Sequence, residues 1–234
     1  MKKIIRNLNK LYIAIGNELI YVGSDILVKA IAFISMPFFL RIMTTEEFGE
    51  FNLYITYRSI FVVFFGLNVS KSIIKYYIDK ANTKKYLTTA VWITLIGSFF
   101  FSIVIFTINY FYGFLELKSK ILIIILIETA FFGLFEIGLE VIRAEKNAIL
   151  YGLATLAKSI ISTTLGLVLV YQMKKNLAFW RLISICVSSI IIGGLLILRI
   201  IVNEGVKGNI NTAKYMLSYS IPLIPYTLST TILA

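Results

Sequence analysis

Five ionisable side chains stand inside apolar stretches of this sequence: Asp25, Lys29, Arg58, Glu128 and Lys158. All but Asp25 fall about ten residues into their stretch. Ten residues of helix advance about 15 Å, half of the roughly 30 Å of bilayer hydrocarbon. A charge at that depth costs roughly 2.5–3.5 kcal/mol on insertion scales, so these groups should face a protein interior or a watery cavity. Two arrangements are open. One is a polar, partly cationic cavity at mid-depth, with three bases against two acids. The other is internal pairing, Asp25 with Lys29 at i,i+4 and Glu128 with Arg58 or Lys158.

Further charges cluster towards helix ends. Glu136, Glu140 and Arg143 sit together, with Glu140 and Arg143 at i,i+3. They read either as a salt-bridged helix end or, for Glu136 with Glu128, as groups that couple a proton or cation. Lys71 and Lys75 stand one turn apart and could hold phosphate or snorkel to lipid headgroups. Much chemistry is excluded. The chain has no His, so His-based acid–base catalysis, His metal sites and a Ser-His-Asp triad are out. Its single Cys186 forms no intrachain disulfide and no paired-Cys metal pattern. It has no phosphate-cradling glycine loop and no Asp-x-Asp pair. No connection between apolar runs is long enough for a soluble catalytic domain. We therefore expect neither enzyme nor cofactor nor metal.

The elements that must carry these residues are apolar runs of membrane-spanning length. Hydrophobic residues make up 59% of the chain and charged residues 15%, against about 25% charged in a soluble domain. Six helices are expected: Leu19–Met43, Phe48–Val69 with an extension to Tyr77, Leu87–Tyr112, Ser119–Ile142, Ala148–Gln172 and Ala178–Val202. A seventh starts at Tyr215 and is still running at Ala234. The fold class is an all-α membrane protein, a six-helix bundle over residues 19–202. It is flanked by an N-terminal segment over 1–18, a connector over 203–214 and the incomplete seventh helix over 215–234. Short connections imply that sequence neighbours pack side by side and antiparallel. Pro37, Pro222 and Pro225 bend or loosen their helices. The aromatic residues Tyr76, Tyr77, Tyr110, Phe111 and Tyr112 read as an interfacial belt.

The net charge of +11 sits mostly between the apolar runs. It reads as anchoring at an anionic membrane face, with membrane lipids rather than nucleic acid as the partner. With the N-terminus inside, fourteen Lys and Arg fall on the inner side (Lys71, Lys75, Lys80, Lys84 and Lys85 among them) and six on the outer (Arg41, Lys118, Lys120, Lys174, Lys175 and Arg181). That bias supports an N-in orientation. Met1 to Asn17 lacks the short apolar core and cleavage site of a signal peptide.

Four segments resemble one family. Lys29 to Gly49 reads KAIAFISMPFFLRIMTTEEFG, Phe65 to Tyr76 reads FGLNVSKSIIKY, Arg143 to Tyr151 reads RAEKNAILY, and Tyr219 to Leu228 reads YSIPLIPYTL. In this order and at these spans, the chain resembles the N-terminal half of a bacterial polysaccharide (O-antigen) flippase of the Wzx/RfbX type, in the superfamily that includes the MATE exporters. The resemblance implies an alternating-access transporter of two six-helix bundles in the cytoplasmic membrane of a bacterium. Its partner would be an undecaprenyl-diphosphate-linked oligosaccharide moved between leaflets for surface polysaccharide or lipopolysaccharide synthesis. Cavity cations would hold the diphosphate, and Lys29, Arg58, Lys158 and Lys75 are the positions that fit by type and depth. Asp25, Glu128 and Glu136 are the candidates for ion coupling. Because the chain stops inside a seventh helix, a truncated or split half, lacking its second six-helix half, is expected. The alternatives are a cation-coupled small-molecule exporter of the MATE type and a non-functional membrane remnant.

Overall fold

The computed structural model describes residues 2–78, 86–113, 115, 117, 119–173 and 175–233, without the side chains of 2–15, 78, 232 and 233. Of the residues counted for orientation, Lys80, Lys84, Lys85, Lys118 and Lys174 lie outside the described residues, as do the side chains of Lys2, Lys3, Arg6 and Lys10. Ala234, where the seventh helix was expected to run on, is also outside them.

Apolar composition without strand alternation yields helices, and no strand occurs among the described residues. They are α1 (Lys2–Ile42), α2 (Thr45–Phe65), α3 (Ser70–Ile78), α4 (Tyr86–Tyr112), α5 (Ser119–Ala144), α6 (Ala148–Gln172) and α7 (Leu177–Glu204). After these come α8 (Ile210–Ser220), a 3₁₀ turn (Ile221–Leu223) and α9 (Ile224–Leu233). Among the described residues five helices are long and apolar enough to cross a membrane, counting α1 from Gly16, and six if the bent pair α2–α3 is one span.

Local chemistry explains the boundaries. Thr44 caps α2 by accepting from the Glu47 amide, while the Glu47 carboxylate accepts the Thr44 amide at 3.1 Å. The second Glu47 oxygen accepts the Leu177 amide at 3.0 Å. One carboxylate thus caps both α2 and α7, whose own N-cap, Asn176, makes no side-chain cap. The break after α2 comes from Leu67 and Asn68, both left-handed at φ 44° and 57°. It bends α3 by 49° from α2.

The seventh helix differs from expectation. It begins at Ile210, five residues early, and breaks at the 3₁₀ turn that holds Pro222. Its connector is pinned to α4: Trp92 Nε1 donates to the Val206 carbonyl at 2.8 Å, and the Asn209 amide donates to Thr89 Oγ1 at 2.9 Å.

Packing also departs from the neighbour rule. α1 barely touches α2 and lies instead along α6. Asn17 bonds to Lys146, Tyr21 packs on Tyr151, and Ser24 faces Gly152. The contacts advance together along both chains, so the two helices are parallel. Ser24 against Gly152 gives a small-on-small seam, which in a membrane outweighs sequence proximity. α5 is central, packed on α7 most extensively and also on α2, α3 and α4. Tyr76 belongs to this core, not to an interfacial belt: it is buried and stacked on Tyr86 at 3.3 Å between centroids. Tyr110, Phe111 and Tyr112 are exposed at the end of α4, as belt residues are.

Candidate functional site

The mid-depth charges converge on one aromatic ring. α2 delivers Arg58 and α5 delivers Glu128, and Arg58 Nη1 stands 3.6 Å from Glu128 Oε1. Glu128 is completely buried. Ser189 on α7 donates to the same Oε1 at 3.0 Å. One turn along α5 from Glu128, Phe132 lies beneath two cations. The Arg58 guanidinium is 4.4 Å from its centroid and the Lys158 ammonium of α6 is 4.8 Å from it. Lys158 also lies 5.0 Å from the Phe135 centroid. Among the described residues only Arg58 stands within ion-pair distance of Glu128, and Lys158 is met by two aromatic faces through cation–π attraction. Arg58 Nε and Glu128 Oε2 are buried without a hydrogen-bond partner among the described residues.

Arg58 also faces a cavity of about 780 Å³ between α2, α5 and α9. Its polar wall includes Lys71, Glu136, Asn68 and the α9 hydroxyls of Thr227 and Thr230. Glu136 forms no ion pair within 4.0 Å among the described residues. Lys158 does not line this space; the Phe132 ring does.

A second network closes one end of the bundle. Glu140 Oε1 takes Lys71 Nζ at 3.4 Å and Arg143 Nη1 at 3.0 Å. Arg143 Nη2 donates to the Tyr151 hydroxyl at 2.9 Å, and that hydroxyl donates to Asp25 at 3.2 Å. Four helices, α3, α5, α6 and α1, are joined by this chain of contacts.

Of the sequence-derived candidates, Arg58, Lys158 and Glu128 are brought together and Glu136 faces the adjoining cavity. Lys29 is not part of the group. It is exposed on α1, although the parallel register with α6 sets it level with Lys158, and it makes no ion pair or hydrogen bond among the described residues. Lys75 points elsewhere too, 4.3 Å from the Tyr219 centroid and 5.9 Å from that of Tyr215 on α8. The expected Asp25–Lys29 pair does not form, because the Tyr151 hydroxyl claims Asp25 across the α1–α6 seam. The expected pairing of Glu128 with Arg58 does form.

Sequence reasoning missed Phe132 and Ser189, ordinary residues in apolar runs whose partners lie far along the chain, and it quoted Tyr151 only as the end of the Arg143–Tyr151 segment, without its bridge from Arg143 to Asp25. It also counted Arg181 as an outer-loop anchor. Arg181 lies within α7, turned inward, with Nη1 donating to the Ser162 carbonyl at 2.6 Å. The apolar run Leu177 to Trp180 ahead of it is the signal that α7 has already begun.

A bundle of spanning helices with an ion cluster buried at mid-depth defines a multi-pass membrane protein. The chain belongs to the family described as polysaccharide biosynthesis protein, which matches residues 15–234. It is similar to an uncharacterised membrane protein of Haemophilus influenzae, 22% identical over 181 residues. That alignment covers 76% of this chain and 42% of the relative, so the chain spans less than half of the relative's length. No solved structure matches.

Proposed function

We propose that this chain is the N-terminal lobe of a flippase that moves an undecaprenyl-diphosphate-linked oligosaccharide across a bacterial cytoplasmic membrane, not an enzyme. The observation that carries this reading is the cavity of about 780 Å³ with Arg58 and Lys71 in its wall and Lys158 behind the shared Phe132 ring. Two basic groups at a cavity surface suit diphosphate oxygens, because charge-assisted hydrogen bonds are the strong ones. Threonine hydroxyls from α9 suit sugar hydroxyls on the same wall. The reading keeps the N-terminus inside and takes a second six-helix half as the other wall.

The test is surface polymer in cells that depend on this protein. R58Q and K71Q should each lower it strongly while the protein is still found in membrane fractions by blotting, K71Q without the loss of stability that R58Q carries through the buried Glu128. Wild-type polymer in both variants overturns the reading.

A second reading, cation-coupled export of a small molecule, is favoured by Glu136, a carboxyl on the cavity wall without an ion pair among the described residues. Drug efflux lost in E136Q with surface polymer unchanged would establish that reading instead.

A further inference from the structure

At the end of the bundle where Glu47 caps α7, a separate pocket of about 280 Å³ opens between α1 and α2. Arg181 stands at its base, and Phe33, Met36, Phe39, Met43 and Phe51 form its walls. It shares no residue with the larger cavity. The Arg181 Cα is four residues into α7, about 6 Å below the helix start at 1.5 Å per residue, and its side chain reaches deeper, to the carbonyl of Ser162, ten residues before the end of α6. In a spanning helix the Cα level is the border between headgroups and hydrocarbon, and the guanidinium lies on the hydrocarbon side of it.

The guanidinium is held but not neutralised. Nη1 donates to the Ser162 carbonyl at 2.6 Å and to Ser184 Oγ at 3.3 Å. The group lies 4.2 Å from the Phe39 centroid and 5.6 Å from that of Phe51. Gly166 leaves the room for it, since any Cβ there would strike Nη1. No carboxylate pairs with Arg181 among the described residues, and Glu47 is engaged at two helix caps. Nε and Nη2 remain as donors. A planar guanidinium set among aromatic rings is suited to bidentate capture of phosphate oxygens. The mouth of the pocket is apolar and open: Phe33 is 78% exposed and Met36 42%.

We propose that this pocket binds an anionic phospholipid of the leaflet at that end, with its phosphate on Arg181 and the start of an acyl chain against Phe33 and Met36. Charge complementarity supplies the anion, and the apolar walls select a lipid over a free phosphate. The proposal is independent of the transported substrate.

Native mass spectrometry of the detergent-purified full chain tests it, with phosphatidylglycerol, phosphatidylcholine and inorganic phosphate as probes. Phosphatidylglycerol should be retained about tenfold better than phosphatidylcholine, equivalent to ~1.4 kcal/mol. R181Q should remove that preference, and millimolar phosphate should not compete. M36W fills the mouth without touching the charge and should also lower retention, so the question stays decidable if R181Q folds poorly. Equal retention of both lipids by the wild type, undiminished retention in a folded R181Q or in M36W, or displacement by inorganic phosphate would each overturn the proposal.

Discussion

Arg58 and Glu128 are 3.6 Å apart, and Glu128 has no exposure at all. Among the described residues, only Arg58 and the Ser189 hydroxyl meet that carboxylate at close range. Removing one partner of a buried pair costs about 3–5 kcal/mol, because the other charge stays behind unpaired. E128Q and R58Q should therefore each lower the unfolding midpoint clearly. The double variant should lose less than the sum, with a coupling energy of about 1–3 kcal/mol. Denaturant unfolding in detergent of the two single variants and the double reads this directly; additive losses would show that the pair does not act as a unit.

Glu47 serves two helix starts that lie far apart in sequence. Its carboxylate completes the capping box with Thr44 and accepts the Leu177 amide. Loss of a helix cap costs about 0.5–2 kcal/mol. E47A should cost more than T44A, since only E47A also uncaps α7. Hydrogen exchange at the first turns of α2 and α7 should separate the two: T44A frays α2 alone, and E47A frays both.

How far this could be read from the sequence follows from the length scale of each interaction. The apolar runs set the helices, and Ala148–Gln172 is found as expected because the Asn147 cap and the extended Met173 bound it locally. The i,i+3 pair Glu140–Arg143 is equally local, as is the Thr44–Glu47 capping box, which starts α2 at Thr45, three residues before the expected Phe48. Arg58–Glu128 follows from the cost of unpaired charge at one depth, which leaves few partners. Tyr151–Asp25 and Arg58–Phe132–Lys158 have no such local trace. They depend on α1 lying parallel to α6, and on the rotation of α5 that turns Phe132 between α2 and α6. A small-residue seam such as Ser24 on Gly152 decides those placements, and small residues are spread throughout the chain.

Two adjacent glycines of α7 predict opposite outcomes. A Cβ at Gly193 would stand 2.9 Å from the Phe131 carbonyl oxygen of α5, whereas one at Gly194 meets nothing within 4 Å. Backbone cannot yield as a side chain can, so G193A should push α5 from α7 at a cost of about 1–3 kcal/mol. G194A should be neutral or stabilising by up to about 1 kcal/mol, since alanine is the better helix former. Thermal unfolding of the two variants side by side checks the sign of each.

Tyr151 is the hinge point of the closing network. Its hydroxyl accepts from Arg143 at 2.9 Å and donates to Asp25 at 3.2 Å, and its ring meets Tyr21 edge-on at 5.0 Å. Y151F keeps the ring contact and deletes both hydrogen bonds. It leaves Asp25, the α1 end of the network, without that hydrogen bond, while Glu140 still holds Arg143 at 3.0 Å. The expected loss is about 0.5–1.5 kcal/mol, the net worth of a hydrogen bond, since Asp25 is exposed and Arg143 keeps Glu140. It should fall on α1 and not on the bundle core. Spin labels on α1 and α6 should therefore show a broader distance distribution at this end in Y151F, with the separation of α5 and α7 unchanged. D25N, which retains an acceptor for the tyrosine, should lie between Y151F and wild type; if α1 moves as much in D25N as in Y151F, charge and not the hydroxyl bridge is what fastens it.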